Sequence, residues 1–142
     1  MTFKSLHFGG RAQRSQSKRL VVRVLKGSCH CGAITVTVAR KPRQLTECNC
    51  SICRRYGALW AYYSRASVKI IAASKAMDIY SWGDKILEFH RCARCGCITH
   101  YERAKRGPDS TVAINARMLE PEVIGLLRIR RFDGASTWKC VD

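Results

Sequence analysis

The chain is short of acid: 26 Lys and Arg stand against 10 Asp and Glu in 142 residues. The first carboxylate is Glu47, so residues 1–46 carry ten basic side chains and no acidic one. That imbalance makes a surface that attracts anions rather than cations, whether nucleic acid, anionic lipid or a small acidic substrate. Long apolar runs are missing too. No stretch approaches the about 20 residues that a membrane-crossing helix needs, and the opening residues lack the apolar core of a secretory signal. Sustained 3.6-residue periodicity is also absent, which excludes a helical bundle.

Cysteine is not scarce, but scattered cysteine is. Nine cysteines occur, and most fall in close groups instead of the wide spacing with which disulfides close large loops. Cys29 and Cys31 form C-x-C, Cys48, Cys50 and Cys53 form C-x-C-x-x-C, and Cys92 and Cys95 form C-x-x-C. Groups of this kind bring thiolates to one point, as a metal requires. The expectation is a soluble, cytoplasmic protein whose thiols stay reduced and available to metal.

Residues 1–19 are rich in Ser, Gln, Gly and Arg and cannot bury enough apolar surface to fold alone. They are expected to be a basic, disordered extension, or a transit peptide of the Arg- and Ser-rich, acid-poor kind, ahead of a domain spanning residues 20–142. From Leu20 onward, short β-branched and aromatic runs alternate with Gly, Pro, Ser and Asp breaks. Strands are expected at residues 20–25, 33–38, 44–49, 59–63, 68–71, 77–80, 86–90, 97–102, 110–115 and 129–132. Gly27-Ser28 is read as a break, residues 51–56 as a helical turn ended by Gly57, and Leu119-Glu120-Pro121 as the start of a short helix. Turn signals every 8 to 12 residues predict a mainly β domain of small antiparallel sheets.

Zinc takes four ligands at tetrahedral angles with Zn–S of about 2.3 Å, which places sulfurs about 3.8 Å apart. A C-x-x-C turn ending in glycine does this readily, because Gly96 can take positive φ. The C-x-C of Cys29 and Cys31 needs a bend, which Gly27 and Gly32 can supply. These two pairs, about 60 residues apart, make one closed four-thiolate site that staples early strands to late ones. Cys48, Cys50 and Cys53 then hold three ligands. Either a fourth position stays open, the pattern of a reactive site, or His30, His90, His100 or Cys97 closes it. Cys97 is expected in the core and Cys140 as a free thiol.

Gly27-Ser28-Cys29-His30-Cys31-Gly32-Ala33-Ile34, Cys48-Asn49-Cys50-Ser51-Ile52-Cys53-Arg54 and Cys92-Ala93-Arg94-Cys95-Gly96 resemble the three signatures of the glutathione-dependent formaldehyde-activating enzymes, a family that also contains centromere protein V. The likeness runs from Gly27 to Phe132. It implies a zinc-stapled β-tent and two zinc ions per chain, one structural on Cys29, Cys31, Cys92 and Cys95, one on Cys48, Cys50 and Cys53. It also implies a carbon–sulfur lyase that joins formaldehyde to glutathione or reverses that step, with the three-thiol set catalytic. An open zinc is a Lewis acid for a carbonyl oxygen and a holder of thiolate. Arg54 and Arg55, next to the last ligand, are candidates to bind the carboxylates of glutathione as co-substrate. A competing function is a non-catalytic zinc module that binds nucleic acid or chromatin through its basic surface, with Trp60, Tyr62 and Tyr63 as stacking groups. The strand pattern around those aromatics favours core or cleft wall.

Overall fold

The structure is a computed structural model that describes residues 24–107 and 109–142. The expected extension at residues 1–19, and the proposed strand start at Leu20, lie outside the described residues. The chain is mainly β, as its turn spacing predicts. In order come β1 (Leu25–Ser28), β2 (Ile34–Val38), β3 (Leu45–Cys48), α1 (Cys53–Tyr56), β4 (Leu59–Ser64), β5 (Val68–Ala72), β6 (Met77–Tyr80) and β7 (Leu87–Cys92). There follow β8 (Ile98–Arg103), β9 (Thr111–Asn115), α2 (Pro121–Ile124), β10 (Ile129–Asp133) and β11 (Lys139–Cys140). Single 3-10 turns occupy Arg65–Ser67 and Ala116–Met118.

Two sheets form. The smaller is antiparallel with order β1-β2-β5, and the larger runs β11-β10-β3-β4-β9-β8-β7-β6. Every pairing in the larger sheet is antiparallel except β3 with β10, which run parallel. Period-2 alternation decides which side chains meet. On β2, Ile34, Val36 and Val38 are fully buried while Thr35 is exposed. Those three face Leu59, Ala61 and Tyr63 of β4 and Val112 and Ile114 of β9 in one core between the sheets.

The central strands are covered on their other side as well. Trp60, Phe89, Ile98 and Ala113 form a second buried cluster there, with Tyr101 packed against it. Ala113 stands opposite both Tyr62 and Tyr101 in register. Its small side chain leaves room for the two rings, which meet edge to face at 6.4 Å. The large sheet thus separates an aliphatic core from an aromatic floor.

Two local expectations are corrected. Gly27-Ser28 does not break the first strand: β1 runs through both, with Gly27 opposite Val36. Gly27 serves close approach instead. It bridges to Leu119, and a Cβ there would collide with the Met118 carbonyl. Strand β8 starts at Ile98, not Cys97, because the Cys97 carbonyl closes the preceding turn by accepting from Cys92 N–H at 2.9 Å. Cys97 is half-buried at the rim of the core between the sheets. Cys140 is exposed.

Candidate metal centres

The first cysteine group is built by two turns that face each other. After β1, the chain folds back through Gly32, at φ 74°, with Gly32 N–H donating to the Cys29 carbonyl at 3.0 Å. After β7 it folds back through Gly96, at φ 76°, with Gly96 N–H donating to the Cys92 carbonyl at 2.8 Å. Positive φ is the conformation that glycine adopts without steric cost. The turns bring Cys29, Cys31, Cys92 and Cys95 together. The Sγ atoms of Cys29 and Cys31 are 3.7 Å apart, and those of Cys31 and Cys92 are 3.6 Å apart. A tetrahedral thiolate site asks for about 3.8 Å; these two separations match it, and all four sulfurs lie within 4.8 Å of one another, so the donor set can hold a metal. The thiols divide here. Backbone N–H groups of Cys97 and Cys31 pull the Cys95 thiol down to about 5, whereas Cys31, despite the Ala33 N–H, is pushed up to about 11 by desolvation and the neighbouring thiols. Ile34 N–H donates to Cys29 Sγ at 3.2 Å.

The second group, Cys48, Cys50 and Cys53, straddles the junction between β3 and α1, with its potential ligand atoms mutually within 4.8 Å. The four residues of α1 end at Gly57, whose φ of 59° and N–H to the Cys53 carbonyl at 3.0 Å close the turn as the sequence predicts. Trp60 Nε1 donates to Cys53 Sγ at 3.3 Å. Burial raises the Cys53 and Cys48 thiols. Cys50 is lowered, because although burial opposes it, the Cys53 backbone N–H outweighs that effect with help from neighbouring thiols. None of His30, His90, His100 and Cys97 joins this group; among the described residues, His90 and His100 gather with Glu102 instead.

Above the second group lies the turn after β10. Asn49 Nδ2 donates to Asp133 Oδ1 at 2.8 Å, and Ala135 N–H donates to Asn49 Oδ1 at 2.9 Å. This tie holds Gly134 against the thiols: a Cβ on Gly134 would stand 2.7 Å from Cys48 Sγ. The three cysteines open into a cleft of about 750 Å³. Its walls are aromatic, with Trp60, Tyr62, Phe89 and Tyr101 from the floor of the large sheet and Trp82 and Trp138 at its margins. Its charged lining residues are Arg54, Asp84 and Arg103.

The expected site residues therefore divide. Arg54 lines the cleft, whereas Arg55 does not and spends its Nη1 on the Ser51 carbonyl at 2.6 Å. Trp60 and Tyr63 are buried and unavailable to stack on bases; Tyr62 is exposed at the cleft. Tyr101, Asp84 and Arg103 escape sequence reasoning, because only strand pairing carries them to the cysteines.

A family model described as glutathione-dependent formaldehyde-activating enzyme matches residues 24–124. The chain belongs to this family. Among solved structures it is similar to a crystal structure of a Rhodobacter sphaeroides protein, at 26% identity and a TM-score of 0.60, over 74% of this chain and 99% of that one. The matched interval of the formaldehyde-activating family contains all seven grouped cysteines, Arg54 and the aromatic floor. It ends before β10, so the Gly134 turn over the second group lies beyond it. Membership supports a glutathione-dependent, formaldehyde-activating function, and both cysteine groups have donor sets that can hold metal. No helix among the described residues is long and apolar enough to cross a membrane.

Proposed function

We propose that the chain is a zinc-dependent carbon–sulfur lyase-type enzyme that makes and breaks thiol–aldehyde adducts, with glutathione as thiol and formaldehyde as aldehyde. Cys29, Cys31, Cys92 and Cys95 hold the structural ion and complete a β-tent; Cys48, Cys50 and Cys53 hold the reactive one. The observation that carries this reading is the charge of the cleft beside the three-thiol group: two arginines and one aspartate in an otherwise uncharged lining. Glutathione carries two carboxylates and one ammonium group. Arg54 and Arg103 match the carboxylates with charge-assisted hydrogen bonds, and Asp84 matches the ammonium.

The reaction conserves its proton. As the thiol sulfur forms a bond to the carbonyl carbon, the C=O π pair moves to oxygen. Oxygen then takes up one proton in place of the one the thiol released, giving the S-hydroxymethyl adduct. Zinc on Cys48, Cys50 and Cys53 supplies Lewis acidity to the carbonyl oxygen and favours the thiolate form of the substrate. The protein does the rest. Arg54 and Arg103 orient the thiol substrate, and the aromatic walls exclude water that competes for the aldehyde. Tyr101 Oη donates to Tyr62 Oη at 3.0 Å, which leaves the Tyr62 proton free to point into the cleft. Although the ring is exposed at the cleft, desolvation around its hydroxyl raises Tyr62, so it stays a neutral donor that can share its proton with the developing alkoxide.

The test is exchange between formaldehyde and its glutathione adduct, followed by NMR with protein loaded with metal at both cysteine groups. Acceleration over the uncatalysed exchange is expected. Arg54→Gln and Arg103→Gln should each raise KM for glutathione by roughly tenfold, with kcat little changed. No acceleration with glutathione or any other small thiol, across small aldehydes, would remove the enzyme reading.

A further inference from the structure

On the side of β7 and β8 that alternation turns away from the cleft, His90, His100 and Glu102 converge at a point that neither cysteine group includes. All three are about 97% buried. His90 and His100 are cross-strand partners, with rings stacked at 4.2 Å and 8° from parallel. Glu102 follows His100 by two residues on the same face.

The hydrogen bonds around them fix both tautomers. Thr99 Oγ1 donates its single proton to the His90 carbonyl at 3.0 Å. It lies 2.9 Å from His100 Nδ1, and so must accept there: Nδ1 carries the hydrogen. His90 Nδ1 faces Met77 Sδ at 3.3 Å, and a thioether can only accept, so this Nδ1 carries a hydrogen too. Both Nε2 atoms are then lone pairs. They point at Glu102 Oε1, from 3.7 Å for His90 and 3.8 Å for His100, with Glu88 Oε2 also 3.7 Å from His90 Nε2. His90 Nε2 is buried with no hydrogen-bond partner among the described residues. The carboxylates have Arg106 beside them, but the buried His90 Nε2 lone pair faces only acceptors, an arrangement that a bound cation resolves.

We infer that His90, His100 and Glu102, with Glu88 as a fourth donor, form a third metal site, selective for a divalent first-row transition ion. Two imidazoles and a carboxylate suit zinc, iron or cobalt better than magnesium or calcium. Metal–N and metal–O bonds of about 2.0–2.1 Å at tetrahedral angles separate donors by about 3.4 Å. The observed nitrogen–carboxylate spacings therefore need to close by a few tenths of an ångström, and the stacked rings must also rotate out of parallel so that both Nε2 lone pairs meet one ion. Nδ1–H bonds to a hydroxyl and a thioether are the outer contacts that orient metal-ligating histidines.

Arg106 is the built-in competitor. Its Nε stands 3.1 Å from Glu102 Oε1 as an ion pair and its Nη2 donates to Glu88 Oε2 at 2.5 Å, so its guanidinium spans the two carboxylates that the ion would use. Arg65 takes the other oxygen, Glu102 Oε2, at 3.2 Å. The Arg106 side chain is 45% exposed and can withdraw to solvent. Metal affinity in the native chain is consequently modest, and it rises when Arg106 is removed.

This site stands independently of the reaction proposed for the cleft, and its readout is spectroscopic. The full chain, with zinc loaded at both cysteine groups, is titrated with Co²⁺. One further equivalent should bind and produce weak visible ligand-field bands without sulfur-to-cobalt charge transfer, which would instead signal exchange into a cysteine group. Arg106→Ala should tighten that equivalent by at least about tenfold, and His100→Gln should abolish it. Should His100→Gln not fold, His90→Gln and Arg106→Ala decide the matter. The inference is overturned if neither the native chain nor folded Arg106→Ala takes up a sulfur-free equivalent, or if that equivalent persists in the folded histidine variants.

Discussion

Trp60 Nε1 donates to Cys53 Sγ at 3.3 Å, joining a fully buried ring of the aromatic floor to a potential metal ligand at the cleft. A hydrogen bond from a buried donor stabilises the thiolate form and orients the sulfur lone pairs, as other outer contacts of metal sites do. Trp60→Phe keeps an aromatic ring in place and deletes the donor. Metal held by Cys48, Cys50 and Cys53 should then be lost to a competing chelator at roughly tenfold lower chelator activity. The four-thiolate group should be unaffected. Equal weakening of both groups would show that the substitution acts through the fold.

Gly134 tests how tightly the turn after β10 closes on the same thiols. A methyl group there would stand 2.7 Å from Cys48 Sγ and 3.2 Å from Cys50 Cβ. Contacts that short must be relieved by moving the turn or the cysteine. Metal analysis of Gly134→Ala should show loss at the three-thiol group and retention at the four-thiolate group, with adduct exchange falling in parallel.

Gly27 offers a control on the opposite side of the molecule. Its Cβ would press on the Met118 carbonyl and reach 3.1 Å from a Leu119 methyl. Backbone cannot swing aside as a flexible side chain can. Gly27→Ala should therefore cost about 1–3 kcal/mol of stability in denaturant unfolding, by overpacking of a full core. The aromatic cleft is remote from this bridge, so substrate KM should not change.

Acid should loosen the turn that carries Gly134. Asp133 accepts from Asn49 Nδ2 and from the Thr137 N–H and hydroxyl, and these bonds hold its carboxyl at about 2, below the usual carboxylate range. Because the folded value is the lower one, the stabilisation is fully present above about pH 4 and is lost as pH falls toward 2. The stability difference between the native chain and Asp133→Asn should shrink across that window. A difference that stays constant down to pH 2 would rule out the carboxylate as its source.

Much of the frame is legible without coordinates. Ile34, Val36 and Val38 alternate with Thr35 and Thr37, and that pattern alone places β2 with one face in a core. Gly57 and Gly96 stand where a chain must turn through positive φ, and both do. The cysteine spacings likewise announce two groups of potential metal ligands, because short-range geometry governs C-x-C and C-x-x-C. Less was legible where a residue serves a distant one. Gly27 resembles a strand breaker in sequence, yet it is a strand residue kept small for Met118. The two-residue β11 is too short to leave a pattern.

Seven grouped thiols, an excess of basic charge and a β-rich rhythm belong to the sequence itself, since each depends on residues near one another in the chain. Only the tertiary structure decided what surrounds the three-thiol group. Arg54 arrives with its own motif, but Arg103, Tyr101 and Asp84 reach the cleft through the pairing of strands far apart in the chain. Gly134 comes to Cys48 by the parallel pairing of β3 with β10. The same is true of His90, His100 and Glu102. Their spacing along the chain is unremarkable, and they meet because β7 and β8 pair in a register that sets His90 opposite His100. Long-range pairing reflects the burial of whole sheet faces, and no local window of sequence contains that balance.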